Sequence, residues 1–157
     1  MTEKTDMSVT FLVAGVVERD IDLLLLEEFL SSEQFSHWFV DHTRQPASSD
    51  SDLGQVRRAR RSVTQSMGES ELEVVFQVPD GSYTYLPIEN KVNATFQPAQ
   101  AERYRLRGRT YLERGDCQAF STVLVAPERY FGSPPTSHGF DARLSYEALR
   151  DWLLTPV

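Results

Sequence analysis

A β-hairpin signal near the middle of the chain constrains its fold more than any other feature. The runs 68–78 and 83–91 are rich in β-branched and aromatic residues, and the turn residues Pro-Asp-Gly-Ser at 79–82 separate them. An Asp-Gly turn between two such runs is typical of an antiparallel hairpin with a tight turn. The sequence therefore predicts that a sheet is built around this hairpin.

Acidic residues and a lysine gather at one end of the predicted hairpin. Side chains alternate faces along a strand, so Glu71 shares a face with Glu73, and Glu89 shares a face with Lys91. Two or three carboxylates can hold a hard divalent cation through oxygen ligands. A neighbouring lysine can orient a water or stabilise negative charge on a phosphate. The alternative is that these residues are solvated surface charges, which are abundant in proteins.

A helix is predicted directly after the hairpin, over residues 97–114. Pro98 suits its first turn and Gly115 suits its end. Gln100 and Tyr104 lie four residues apart on one side of this helix, so both can face the acidic end of the hairpin. The alternative for this pair is a surface glutamine and a half-buried tyrosine.

Together these residues resemble the PD-(D/E)XK nuclease superfamily. Glu71 stands where the family usually carries Asp, and the Glu-Asn-Lys segment at 89–91 matches the family's Glu-x-Lys element. Gln100 and Tyr104 match the Gln-x-x-x-Tyr of its RecB-like and lambda-exonuclease-like branches. The sequence around these residues is similar to that of small bacterial members. The resemblance is strongest over about 62–126. Glu in place of Asp at position 71 is a departure that moves the carboxylate by one methylene and alters the geometry of a metal site.

The resemblance implies an α/β fold with a restriction-endonuclease-like αβββαβ core, a central four-stranded mixed sheet flanked by helices, and a C-terminal helix. It also implies a nuclease that depends on Mg²⁺ (or Mn²⁺) and hydrolyses phosphodiester bonds, with DNA as the expected substrate. Glu71 and Glu89 would bind the metal with the backbone carbonyl of Asn90. Lys91 would position the attacking water, and Gln100 with Tyr104 would orient the scissile phosphate.

Members of the superfamily often add an acid from the first helix to the metal site. Glu18, Glu27 and Glu28 are the candidates here, and we choose Glu27, with simple solvation as the alternative for each. The same fold also serves as a noncatalytic nucleic-acid-binding or assembly module, which is the leading alternative function. A third possibility is a partner-binding domain that docks through its apolar first helix. The resemblance implies a bacterial setting such as phage defence or DNA repair.

Charge and composition limit the possible partners. The chain has 157 residues and a formal net charge of −7, which suits one domain and argues against nucleic-acid binding over the whole surface. Local basic tracks remain, and the arginines expected to contact phosphates are Arg58, Arg61, Arg103 and Arg107, with a solvated helix face as the alternative. No apolar run is long enough to span a bilayer. The single cysteine suits a reducing cytoplasm, and a homodimer or larger complex stays open.

The remaining elements are predicted from hydrophobic periodicity and from capping residues. The chain reads as helical from 18 to about 42, with a break near Ser31 at which Ser32 caps a second segment. Ser145 caps a closing helix that runs to about 154. We also expect a loosely ordered start at 1–7, and at 8–17 either a short strand or the segment that leads into a helix. The first core strand is expected at 55–66, and the last at 118–126, parallel to the strand that carries the Glu-x-Lys element. Residues 43–54 and 127–140 are expected to form loops.

Overall fold

In the residues that it describes, a computed structural model of the chain shows a mixed α/β fold in which a six-stranded mixed sheet is flanked by four helices. It describes residues 19–43, 54–64, 69–91 and 99–155, and for 62–64 and 69–71 it describes the backbone alone. The expectations for the loose start, for 8–17, for Glu18, for most of the loop 43–54 and for Pro98 lie outside the described residues. The same holds for the side chain of Glu71.

The helices and strands alternate along the chain in the following order. The helices are α1 (19–31), α2 (Glu33–Thr43), α3 (Gln100–Arg114) and α4 (Tyr146–Leu154). The strands are β1 (Gln55–Thr64), β2 (Glu69–Gln77), β3 (Tyr83–Asn90), β4 (Ala119–Phe120), β5 (Val123–Ala126) and β6 (Ala142–Ser145), and a 3-10 turn at Glu128–Phe131 follows β5. The pairs β1–β2 and β2–β3 are antiparallel, whereas β4 and β5 pair in parallel with β3, and β6 pairs in parallel with β5.

The predicted hairpin is confirmed by β2, β3 and the turn between them. Gly81 takes a positive φ of 90°, a backbone conformation that glycine adopts without steric cost. A carboxylate oxygen of Asp80 accepts hydrogen bonds from the Ser82 backbone N–H at 2.8 Å and from its hydroxyl at 2.6 Å. These bonds to Ser82 lower the pKa of the exposed Asp80 carboxyl. The turn is therefore closed by the residues that predicted it.

The break between the first two helices is also confirmed. The Ser32 hydroxyl oxygen accepts a hydrogen bond from the Phe35 backbone N–H at 3.1 Å, so Ser32 caps α2 as expected. Phe29 on α1 packs edge-on against Phe35 and against Phe39 of α2, with ring centroids 5.1 Å and 5.0 Å apart. These contacts join α1 to α2. Phe29 also packs edge-on against Phe76 of β2, with ring centroids 6.4 Å apart, on the face of the sheet where the larger hydrophobic core lies.

The two faces of the sheet have different neighbours. On one face, the alternate β2 residues Leu72, Val74 and Phe76 pack in the core with residues of α1 and α2. On the other face, Leu124 of β5 packs with Tyr104 of α3 in a smaller buried cluster. Helix α3 therefore covers the face that carries the odd-numbered residues of β2 and β3.

The expectation of a four-stranded sheet was wrong, because the described part of the chain forms a sheet of six strands. The parallel pairing of the last core strand with β3 is confirmed, but this strand is divided into β4 and β5. At the division, the Thr122 backbone N–H and hydroxyl both bond to a carboxylate oxygen of Asp141, at 2.9 Å and 3.0 Å. Strand β6 was not predicted from the sequence; it has four residues and only Leu144 as a buried apolar side chain. Ser145 ends β6 and caps α4, as predicted.

Helix α3 approaches the sheet closely at Gly108. A Cβ atom at this position would lie 2.4 Å from a ring carbon of Phe120, so glycine is required by the packing of α3 on β4. The helix ends at Gly115, which has a φ of 78° and donates its N–H to the Leu112 carbonyl, as expected for this residue type. None of the helices in the described ranges is long and apolar enough to cross a membrane.

Candidate active site

The Glu-x-Lys element lies at the end of β3, with both charged side chains buried. Glu89 is 4% exposed and Lys91 is 6% exposed. The Lys91 ammonium nitrogen lies 3.6 Å from a carboxylate oxygen of Glu89. The Lys91 backbone N–H donates to the Val125 carbonyl at 2.9 Å, which ties the end of β3 to β5. Two adjacent strands therefore hold this ion pair in place on the α3 side of the sheet.

Helix α3 contributes a tyrosine and a glutamine on this side of the sheet. The Tyr104 hydroxyl donates a hydrogen bond to the second carboxylate oxygen of Glu89. Gln100, one turn earlier, is 3% exposed, and both of its amide atoms have no hydrogen-bond partner among the residues that the structure describes. A buried amide without a partner is costly, so the environment of Gln100 suits a polar ligand.

The described side chains offer oxygen atoms of the kinds that bind a hard divalent cation. Glu89 supplies carboxylate oxygens and Gln100 an amide oxygen, which are the ligand types that Mg²⁺ takes. The antiparallel register of β2 and β3 extends to the pair Leu72 and Ile88, which are the chain neighbours of Glu71 and Glu89. Among the side chains that the structure describes, no group of three His, Cys, Asp or Glu residues is placed to hold a metal.

Glu73 lies farther along β2 and belongs to a separate charged cluster. It is 3% exposed, and its carboxylate accepts hydrogen bonds from Nε of Arg60 at 2.6 Å and from the Tyr85 hydroxyl at 2.9 Å. A guanidinium nitrogen of Arg107 lies 3.9 Å from the same carboxylate. The hydrogen bond and charge of Glu73 raise the pKa of Arg60, whereas burial, followed by the Glu73 charge, raises the pKa of Tyr85.

The helix α1 acid that reaches the end of β3 is Asp22, which the sequence analysis missed. It is 1% exposed, and its carboxylate accepts a hydrogen bond at 3.0 Å from the side-chain amide of Asn90. Nε of Arg61 lies 3.4 Å from its other oxygen. The Tyr146 hydroxyl donates to the Asn90 side-chain oxygen, so Asn90 is held from two helices. This network lies on the face of β3 opposite to Glu89.

The structure does not bring Glu27 to this end of the sheet. Glu27 is exposed and lies about 140° round α1 from Asp22, at about 100° per residue. The sequence signal for Asp22 was its spacing, since Leu25 and Phe29 follow it at i+3 and i+7 on the buried stripe. An acid on an apolar stripe predicts a buried partner, and here the partners are Asn90 and Arg61.

The four arginines predicted to contact phosphates fall on two sides of the molecule. Arg107 lies on the α3 side, with its guanidinium carbon 5.8 Å from the centre of the Tyr104 ring. Arg103 is exposed on the same helix. Arg58 and Arg60 are two residues apart on β1, so both lie on the face of the sheet that carries Glu73. Arg61 faces the other way, toward Asp22, and is therefore separated from Arg58 and Arg107 by the sheet.

No protein-family profile, curated protein or solved structure matches this chain. The resemblance to the PD-(D/E)XK superfamily therefore rests on the residues of the hairpin and of α3 themselves.

Proposed function

We propose that the protein is a metal-dependent nuclease of the PD-(D/E)XK type that hydrolyses phosphodiester bonds, with DNA as its substrate. The observation that carries this proposal is the contact of Glu89 with both Lys91 and Tyr104 at the buried end of β3. Three residues of the Glu-x-Lys and Gln-x-x-x-Tyr motifs, from the end of β3 and from α3, are therefore in contact. Gln100 supports the same proposal, because its buried amide has no partner among the described residues.

Each of these residues has a definite role in the proposal. Glu89, Glu71 and the backbone carbonyl of Asn90 would hold Mg²⁺ or Mn²⁺. When bound, the metal supplies Lewis acidity and charge neutralisation at the scissile phosphate. Lys91 would orient the attacking water and stabilise the negative charge that develops on the phosphate.

Burial makes the electrostatic role of Lys91 effective. Charges interact more strongly in a poorly solvated site than in water, and a preorganised group requires no rearrangement during the reaction. The Glu89 carboxylate fixes the Lys91 ammonium at 3.6 Å, and Tyr104 fixes Glu89 in turn. Tyr104 is therefore a positioning residue for Glu89, and Gln100, one turn away, would contact the phosphate or a bound water.

A cleavage assay with matched variants tests the proposal. Single-stranded and duplex DNA and RNA are incubated with the wild-type protein, Glu89→Gln and Glu102→Gln, with Mg²⁺ or Mn²⁺ or with a chelator. Glu102 is an exposed acid on α3, so its variant controls for the loss of one negative charge. We expect metal-dependent cleavage that falls by at least about 100-fold in Glu89→Gln alone. Equal cleavage by both variants would contradict the assignment of Glu89.

A second candidate is a noncatalytic nucleic-acid-binding module on the same fold. One observation favours it: the buried carboxylates of Glu89 and Glu73 are each engaged by cationic and hydroxyl groups of the protein itself. Such internally neutralised pairs also occur as purely structural networks. The module would bind nucleic acid without cutting it, and calorimetry with Mg²⁺ would show no binding that depends on Glu89.

A further inference from the structure

A cavity of about 410 Å³ lies beside the Glu73 cluster, on the α3 side of the sheet. It is bounded by β1, by the hairpin strands, by the last turns of α3 and by the segment that follows α3. Its lining residues are Arg58, Arg60, Val75, Tyr85, Tyr111, Asp116 and Cys117. The cavity is separate from the Glu89–Lys91 site but lies on the same face of β3, because Tyr85 and Glu89 are four residues apart.

The charge of the cavity suits an anion. Arg58 and Arg60 both line it, and Arg60 is fixed in place by its 2.6 Å bond to the buried Glu73. Arg107 reaches the same carboxylate from α3. Among the lining residues, the guanidinium groups of Arg58 and Arg60 outnumber the single carboxylate of Asp116. Guanidinium groups bind phosphate oxygens with paired hydrogen bonds.

The opposite wall of the cavity offers an aromatic ring. Tyr111 is half-buried and packs at right angles on the fully buried Tyr85, with ring centroids 4.8 Å apart and an interplanar angle of 89°. Tyr85 is fixed by its bond to Glu73, so Tyr111 rests on a rigid support. Burial raises the pKa of the Cys117 thiol, which is therefore protonated and apolar at neutral pH. An aromatic ring beside guanidinium groups is the combination that binds a base and its phosphate.

We propose that this cavity binds one unpaired nucleotide of a single strand, with its base against Tyr111 and its phosphate at Arg58 and Arg60. The choice of nucleic acid as ligand rests on the proposed function. The four residues from Tyr85 to Glu89 span about 13 Å at about 3.3 Å per residue. A single strand of a few nucleotides covers that distance. We therefore expect the cavity to favour substrates that are single-stranded a few nucleotides from the scissile bond.

Binding without metal tests the cavity independently of cleavage. Fluorescence anisotropy is measured with a labelled eight-residue oligothymidylate in the presence of a chelator. The variants are Tyr111→Leu, Tyr111→Phe and Arg58→Ala, and the control is Arg109→Ala, an exposed arginine about 200° round α3 from Tyr111. We expect about fivefold or greater weakening for Tyr111→Leu and for Arg58→Ala, because each loses one of the two contacts. Tyr111→Phe and Arg109→Ala should bind like the wild type.

Photocrosslinking supplies a readout that does not depend on affinity. An oligothymidylate with one iododeoxyuridine should crosslink to the peptide that contains Tyr111, whereas the matching duplex should not. Wild-type affinity for Tyr111→Leu, no binding by the wild type, or crosslinks that map elsewhere would overturn the proposal. If the wild type cleaves nucleic acid and Tyr111→Leu binds with wild-type affinity, the proposed nucleotide cavity is contradicted and the proposed nuclease is supported. If binding depends on Tyr111 but no metal supports cleavage, the proposed nuclease is contradicted and the proposed nucleotide cavity is supported.

Discussion

Replacement of Tyr85 by phenylalanine tests the buried network around Glu73 through its pH dependence. The Tyr85 side chain is 2% exposed, and its hydroxyl donates to the Glu73 carboxylate at 2.9 Å. A hydrogen bond to a charged acceptor stabilises a folded protein by about 1.5–3 kcal/mol. We take the lower end, because Glu73 keeps its bond to the half-exposed Arg60 in the variant. At pH 7, Tyr85→Phe should therefore reduce the free energy of unfolding by about 1.5 kcal/mol.

The difference between wild type and variant should shrink in alkaline solution. Burial and the neighbouring Glu73 raise the pKa of Tyr85 in the folded protein, whereas a tyrosine in the unfolded chain ionises near its ordinary value of about 10. Above that pH the folded state keeps a proton that the unfolded state releases, so stability falls by up to about 1.4 kcal/mol per pH unit. The variant has no such group. The two unfolding free energies should therefore cross at about pH 11.

Urea unfolding followed by tryptophan fluorescence measures both quantities. Trp38 of α2 and Trp152 of α4 stack with ring centroids 5.1 Å apart, so their emission reports on the folded packing. Unfolding free energies are compared at several values between pH 7 and pH 11.5. A gap between wild type and Tyr85→Phe that stays constant over this range would show that Tyr85 ionises alike in both states, and would refute the buried network.

Three further substitutions test particular contacts, each by urea unfolding at pH 7. Gly108→Ala should destabilise the protein by about 1–3 kcal/mol, because the new methyl group meets the Phe120 ring; an unchanged midpoint would mean that α3 lies farther from the sheet. Ser145→Ala should cost about 1 kcal/mol through loss of the α4 cap, and Ser145→Asp should restore most of it. Asn90→Asp should destabilise more than Asn90→Ala, because a second carboxylate would face Asp22; the reverse order would contradict the bond between them.

The hairpin and the end of β3 could be predicted from the sequence because their signals are local. A turn sequence fixes which residues of β2 and β3 face each other, and strand alternation then sets Glu89 and Lys91 on one face. Helical spacing likewise set Gln100 and Tyr104 on one side of α3. Each of these steps uses neighbours in the chain. They account for the shared face of Glu89 and Lys91, whereas the contact of Glu89 with Tyr104 also requires α3 to dock on that face of the sheet.

The contacts that the sequence analysis missed depend on packing between distant segments. Asp22 is 68 residues from Asn90 in the chain, and only the docking of α1 on the sheet brings them together. The burial of Glu73 depends on arginines from β1 and α3, whose approach no local pattern encodes. Strand β6 pairs with β5 through four residues and one large buried side chain, a signal too short to separate from a loop.

The measurement that most directly tests the proposed nuclease compares wild type with Lys91→Ala on labelled DNA in Mg²⁺ and Mn²⁺. Arg109→Ala serves as the control for loss of one positive charge, and thermal unfolding confirms that each variant is folded. We expect metal-dependent cleavage by the wild type and the control, with a loss of at least about 100-fold in Lys91→Ala. Wild-type activity in Lys91→Ala, or no cleavage by the wild type with either metal, would contradict it.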